Sequence, residues 1–166
     1  MYHFIEDKIF ERKLRNYCGN IMQSLCHKLK ENYSISSSFY LVGSGARNLI
    51  TQNEDENIDL DYNLEIIKCD GINMNDCRKL KNVIIKCFNE FFDECGWSNC
   101  EDSTSSITTE KRYFAKGNKT NFSIDICITH KGNDNNYYRL IHRKTGWVQF
   151  DSYVWEIAPN SKNLKK

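Results

Sequence analysis

The stretch Ile58-Asp59-Leu60-Asp61-Tyr62-Asn63-Leu64-Glu65-Ile66 alternates apolar and polar residues without a break. Alternate residues of a β-strand share a face. Asp59 and Asp61 therefore stand on one face, about 7 Å apart along the backbone, with Asn63 and Glu65 beyond them. Two carboxylates so placed repel one another unless positive charge lies between them, and their side chains can converge on a hard cation. A third acid, Asp125, sits inside a second apolar run, Phe122-Ser123-Ile124-Asp125-Ile126-Cys127-Ile128. A lone ionised aspartate there is costly to bury unless it is paired or bound to a metal. Mg²⁺ takes carboxylate oxygens together with phosphate oxygens of a substrate. The chemistry such a set offers is the binding of a hard cation between its carboxylates. Each feature also has a plain structural reading. A carboxylate row can be the solvated face of an antiparallel edge strand, and Asp125 can be the partner of a Lys or Arg.

The second chemical feature is Gly43-Ser44-Gly45, where the apolar run Phe39-Tyr40-Leu41-Val42 breaks. A short helix over Ala46–Ile50 would leave backbone N–H groups free near the glycines. With the Ser44 hydroxyl these can hold phosphate oxygens. The Gly-Lys-Ser/Thr ending of a P-loop is absent, and a Gly-Ser-Gly is also an ordinary turn.

The remaining elements must position these groups. Apolar residues at helical spacing, Ile5, Ile9, Leu14, Cys18, Ile21, Met22, Leu25 and Leu29, predict an amphipathic helix from about Ile5 to Asn32. Ser34–Ser38 reads as a loop and Phe39–Val42 as a short buried strand. Thr51–Asn57 reads as a polar loop, and the acid strand then runs to about Lys68. Asn75 or Asp76 can cap a second helix, whose stripe Leu80, Val83, Ile84, Cys87, Phe88, Phe91, Phe92 and Cys95 ends at Gly96. Strands follow over Ile107–Lys116 and Asn121–Thr129. Tyr137–Lys144 and Trp147–Trp155 read as a hairpin around Lys144-Thr145-Gly146.

Strand, Gly-Ser turn, helix, Asp-x-Asp strand and a later strand with one more Asp: this order resembles the DNA polymerase beta-like nucleotidyltransferase superfamily. The matching segments are Val42-Gly43-Ser44, Ile58-Asp59-Leu60-Asp61-Tyr62 and Ile124-Asp125-Ile126. The resemblance covers about Phe39 to Thr129. It implies an α+β fold in which a mixed β-sheet carries helices on one face and an acidic active site on the other. It also implies that Asp59 and Asp61 hold two Mg²⁺ ions. Asp125 completes the site of the catalytic metal and can help deprotonate the acceptor. Gly43 and Ser44, with Gly45 and Arg47 beside them, hold the triphosphate of an NTP donor. Two departures stand out. The spacer between Ser44 and Asp59 is 14 residues long, and only 37 residues follow Thr129. The chain therefore looks like a minimal member, one domain over 1–166, whose acceptor site is built from the 137–155 hairpin, a second subunit or a protein partner. Arg47, Arg112, Arg139, His142 and Lys144 are candidates for binding triphosphate or acceptor.

Composition bounds the partners. A formal net charge of +1 makes a long nucleic-acid acceptor unlike this chain. No apolar run is long enough to cross a bilayer. Eight cysteines with no C-x-x-C pair read as reduced thiols of a cytoplasmic protein. The expected activity is transfer of an NMP from an NTP to a small-molecule or protein acceptor, releasing pyrophosphate. The alternative is a non-catalytic nucleotide-binding or partner-binding module that keeps the fold.

Overall fold

The protein, seen in a computed structural model, is described over residues 2–4, 8–42, 51–53, 58–95, 100–103, 106–109 and 121–158. Helical periodicity produces two helices, α1 at Lys8–Tyr33 and α2 at Cys77–Cys95. α1 buries Phe10, Leu14, Cys18, Ile21, Met22, Leu25 and Leu29. It ends at Ser34, which takes a left-handed φ of 56° and gives its N–H to the Lys30 carbonyl at 3.1 Å, the usual way to satisfy a last-turn carbonyl. α2 is capped by Asp76 rather than Asn75: its carboxylate accepts the Lys79 N–H at 3.2 Å. Asn73 steers the chain into that cap by accepting the Asn75 N–H at 2.9 Å.

The alternating stretch is a strand, β4, at Ile58–Cys69. Its two neighbours decide the topology. β2 (Ile35–Val42) lies antiparallel to it, and β7 (Phe122–Lys131) lies parallel. The far edge of β7 forks. Its middle carries β6 (Ile107–Thr108), and β5 (Glu101–Asp102) pairs outside β6. Its last residues carry β8 (Tyr137–Arg143), with β9 (Ser152–Ile157) beyond. The result is a seven-stranded mixed sheet. A separate two-stranded ladder joins β1 (Tyr2–Phe4) to β3 (Thr51–Asn53). Ile58, Leu60, Tyr62, Leu64 and Ile66 of β4 and Phe122, Ile124, Ile126 and Ile128 of β7 form one apolar cluster with the buried faces of α1 and α2. The fold is thus α+β, with its helices on the face opposite Asp59 and Asp61.

Several boundaries differ from the sequence expectation. β2 starts at Ile35, four residues before the apolar run, because Ser36, Ser37 and Ser38 pair with Lys68, Ile66 and Glu65 across a bulge. Serine has little strand propensity, and sheet pairing overrides it. Thr51–Asn53, expected as loop, pairs with β1. The β8–β9 connection is longer than a tight hairpin at 144–146. Val148–Phe150 forms a 3₁₀ turn, and β9 begins only at Ser152. The expected short helix at 46–50, the residues 110–116 of an expected strand and the first residues of the expected first helix lie outside the described residues.

A buried polar network fills the fork in the sheet. Lys81 of α2, 1% exposed, is ion-paired with Asp102 and donates to the Ser103 carbonyl at 2.7 Å. Asp102 also accepts the Tyr153 hydroxyl at 2.8 Å and lies 3.3 Å from His142 Nδ1. The other nitrogen of His142, Nε2, is 2.7 Å from Asp151. The His142 ring stacks on Tyr153, centroids 4.2 Å apart. Burial alone would raise the Asp102 carboxyl. The hydrogen bonds from Lys81 and Tyr153 and the charges of Lys81 and His142 bring it below its ordinary value. This network ties β5, the β8–β9 pair and α2 together. Among the described residues no helix is long and apolar enough to cross a membrane. Cys18, Cys26, Cys69, Cys77, Cys87, Cys100 and Cys127 are free thiols.

Candidate active site

The parallel pairing of β4 with β7 sets three acids side by side. Asp61 stands directly opposite Asp125, and Asp59 opposite Ser123. Adjacent strands lie about 4.8 Å apart, so short side chains on one face of this pair touch. Ser123 Oγ donates to Asp59 Oδ1 at 2.5 Å. Asp61 and Asp125 are close enough across the strand pair for each carboxyl to act on the other.

The electrostatics follow from that closeness. Asp61 is pushed up to about 6, first by desolvation, then by the charge and closeness of Asp125 and the charge of Asp59. Asp125 is also raised, chiefly by desolvation. The Thr108 hydroxyl and Asp61 act to lower it, and the charge of Asp59 to raise it. β6 therefore matters to the site. Thr108 is the cross-strand partner of Asp125. The next residue, the buried Thr109, accepts the Ile124 N–H at 2.8 Å through its hydroxyl and donates its own N–H to the Ile124 carbonyl at 3.0 Å. These contacts fix the backbone immediately before Asp125.

Only the first half of β4 presents an open polar face. Asp59 and Asp61 are exposed, whereas Asn63 and Glu65, on the same face, are buried at 7% and 6%. The polar row thus narrows to an acid patch of Asp59, Asp61 and Asp125. Gly43, Ser44, Gly45, Arg47 and Arg112 lie outside the described residues. Arg139 pairs across from Thr129, the residue opposite Glu65, and is half-buried. Lys144 is exposed beyond the end of β8. His142 is buried between Asp102 and Asp151, away from the acid patch in hydrogen bonding. Ser123 and Thr108 were not singled out from sequence. Ser123 shares the face of Asp125, which its spacing makes legible, but its match to Asp59 needs the register. Thr108 belongs to a two-residue strand with no periodic signal.

Among the described residues no group of three His, Cys, Asp or Glu stands in metal-holding geometry. Asp59 is engaged with Ser123, and Asp61 faces Asp125 across the strand pair. The donors are nonetheless oxygen alone, the kind Mg²⁺ takes. The like-charge repulsion that raises Asp61 is what a cation in the row would relieve.

No family model matches the chain, and no curated protein matches it in sequence. Solved structures do match in fold. The CD-NTase CdnG of Bradyrhizobium diazoefficiens, in complex with GTP, superposes with a TM-score of 0.53 at 18% identity, covering 92% of this chain and 40% of that one. The DncV cyclic AMP-GMP synthase of Vibrio cholerae, described as a prokaryotic cGAS homolog, gives 0.58 at 10% identity over 96% and 54%. Escherichia coli DncV bound to 3'-deoxy GTP gives 0.61 at 8% identity over 94% and 55%. This chain has the fold these structures share, and it spans about half the length of these neighbours or less.

Proposed function

We propose that the chain carries the catalytic core of a Mg²⁺-dependent nucleotidyltransferase that moves an NMP from an NTP to an acceptor hydroxyl. One observation carries the reading: on the open face of the parallel pair β4–β7, Asp59, Asp61 and Asp125 stand in adjacent register positions. Asp59, Asp61 and Asp125 would hold the metal ions, two by resemblance to the fold's relatives. Bound there, Mg²⁺ supplies neutralisation of phosphate charge and orientation of the triphosphate. The acceptor oxygen bonds to the α-phosphorus. The α-phosphorus–oxygen bond toward the β-phosphate breaks, and its electron pair leaves with pyrophosphate. The acceptor proton passes to Asp125. Ser123 orients Asp59 and Thr108 orients Asp125, so neither acid depends on solvent for its direction. Gly43, Ser44, Gly45 and Arg47 remain the proposed triphosphate contacts by resemblance. The neighbours' complexes with GTP and 3'-deoxy GTP make GTP the first donor to test, with ATP beside it. A small molecule, a protein or a second nucleotide are the acceptor classes to screen. The free thiols suit a reducing, cytoplasmic setting.

A second reading is a module that binds nucleotide or a partner without transfer. It draws on the described residues, among which no three His, Cys, Asp or Glu stand in metal-holding geometry. The experiment that separates the two is release of pyrophosphate from GTP or ATP with Mg²⁺, comparing the wild type with Asp59→Asn and Asp61→Asn. Transfer predicts release that both substitutions abolish while the protein stays folded. Metal-independent release, or none alongside nucleotide binding that ignores both substitutions, overturns it.

A further inference from the structure

The β8–β9 connection holds two large apolar side chains out in water: Trp147 is 66% exposed and Phe150 69%. Its 3₁₀ turn is closed by the Phe150 N–H on the Trp147 carbonyl at 2.9 Å. Side chains three apart in such a turn eclipse one another, so both rings leave the same side of the loop. Hydrogen bonds fix that shape. Asp151 Oδ1 accepts the Thr145 N–H at 2.7 Å and the Thr145 hydroxyl at 2.9 Å, and the Trp147 N–H reaches the Thr145 hydroxyl oxygen at 3.3 Å. Gly146 makes the bend at a φ of 94°, a conformation glycine takes without strain. Asp151 Oδ2 meets His142 at 2.7 Å, and the Asp151 carbonyl accepts from Arg78 of α2 at 2.5 Å. Large apolar groups held exposed by a fixed backbone mark an interaction site.

The charge beside the rings points to the partner. Lys144 is exposed at the base of the loop. Where Arg78 meets the loop, a cleft of about 440 Å³ on α2 carries Arg78, Lys79 and Lys86. The acid in that cleft, Asp76, is engaged in capping α2. Asp151 is turned inward onto His142, its side chain 5% exposed, and Glu156 of β9 is ion-paired with Arg143. The outward charge is therefore positive. The two rings present roughly 300 Å² between them, well short of the about 800 Å² per partner of a stable protein interface. A bilayer surface needs no such matched area. It takes aromatic rings at headgroup depth, and its anionic lipids attract Lys and Arg beside them.

We propose that the β8–β9 loop docks the protein on an anionic lipid surface, with Trp147 and Phe150 entering the headgroup region and Lys79 and Lys144 facing lipid phosphates. The chain then lies on the bilayer rather than crossing it. The acid patch plays no part, so the proposal stands apart from the transferase reading. The test is co-sedimentation of the whole chain with phosphatidylcholine vesicles made with and without phosphatidylserine. The wild type is expected to bind the phosphatidylserine vesicles more tightly, with affinity falling as ionic strength rises from about 0.05 to about 0.5 M. Trp147→Ser/Phe150→Ser alters exposed side chains, is expected to fold normally, and should weaken binding at least about tenfold. Lys79→Gln/Lys144→Gln should cost about fivefold per charge on phosphatidylserine vesicles. Trp147→Phe keeps an apolar ring and should retain binding. Brominated acyl chains should quench the tryptophan fluorescence of the wild type, and Trp147→Phe should lose that quenching while still bound. Absence of binding to either vesicle, binding that the Trp147/Phe150 double variant does not weaken, or capture of a single-stranded oligonucleotide in place of vesicles overturns the proposal.

Discussion

Replacing Asp61 by Asn should stabilise the metal-free protein near pH 7.5. The folded Asp61 lies at about 6, above its ordinary value of 3.8. The native state therefore holds an extra proton between about pH 4 and pH 6, and it loses stability as pH rises through that window. At face value a rise of this size is worth about 3 kcal/mol. Asp61 reaches solvent, and screening there reduces the figure to about 1 kcal/mol. Asn cannot ionise, yet its amide can still donate to Asp125. The assay is thermal unfolding in EDTA across pH 4 to 8. The substitution should raise Tm by about 2–4 °C at pH 7.5 for a chain of this size, and the gain should vanish near pH 4, where the wild-type carboxyl is already protonated. Added Mg²⁺ should raise the wild-type Tm and leave the variant's nearly unchanged. A loss of stability at pH 7.5, or a gain independent of pH, would refute the reasoning that Asp61 is held against like charge.

Ser123→Ala removes the hydroxyl that orients Asp59; we expect about 1 kcal/mol of lost stability by urea titration and weaker Mg²⁺-dependent nucleotide binding. Lys81→Met strips the cation from Asp102 inside the fork and should cost about 3 kcal/mol, as for other broken buried pairs, while Lys81→Met/Asp102→Leu should recover part of it; equal losses in single and double variants would contradict the pairing. Because Asp102 is held below its ordinary value, its contribution is present above about pH 4 and is lost as pH falls below that. The wild type's stability advantage over Asp102→Asn should shrink on acidification. Gly71→Ala would drive a Cβ into the Tyr33 carbonyl, and unfolding experiments should show destabilisation of at least about 1 kcal/mol.

The acid patch was legible because β4 has a dry face and a wet face over Ile58–Tyr62, and period-two alternation records that contrast. The same alternation misleads two residues later. Asn63 and Glu65 continue the pattern yet are buried, since alternation tells which face a residue takes but not what covers that face. The helices were legible from their stripes, and Asp76 as a cap from its place before one. Ser36–Ser38 gave no strand signal because pairing with β4 alone puts them in the sheet. The fork was hidden for a similar reason. Lys81 lies off the apolar stripe of the second helix, Asp102 falls in a stretch with no clear pattern, and His142 lies in a predicted hairpin strand among basic residues. Only the split edge of β7 brings them together. The site's orienting hydroxyls depend on register, which no local pattern encodes.

The measurement that tests the central claim most directly is calorimetric binding of GTP and ATP, with and without Mg²⁺, to the wild type and to Asp61→Asn. The account predicts nucleotide binding that Mg²⁺ strengthens in the wild type and that loses its Mg²⁺ dependence in the variant. Binding that Mg²⁺ does not alter, or a Mg²⁺ dependence that survives the substitution, would contradict it.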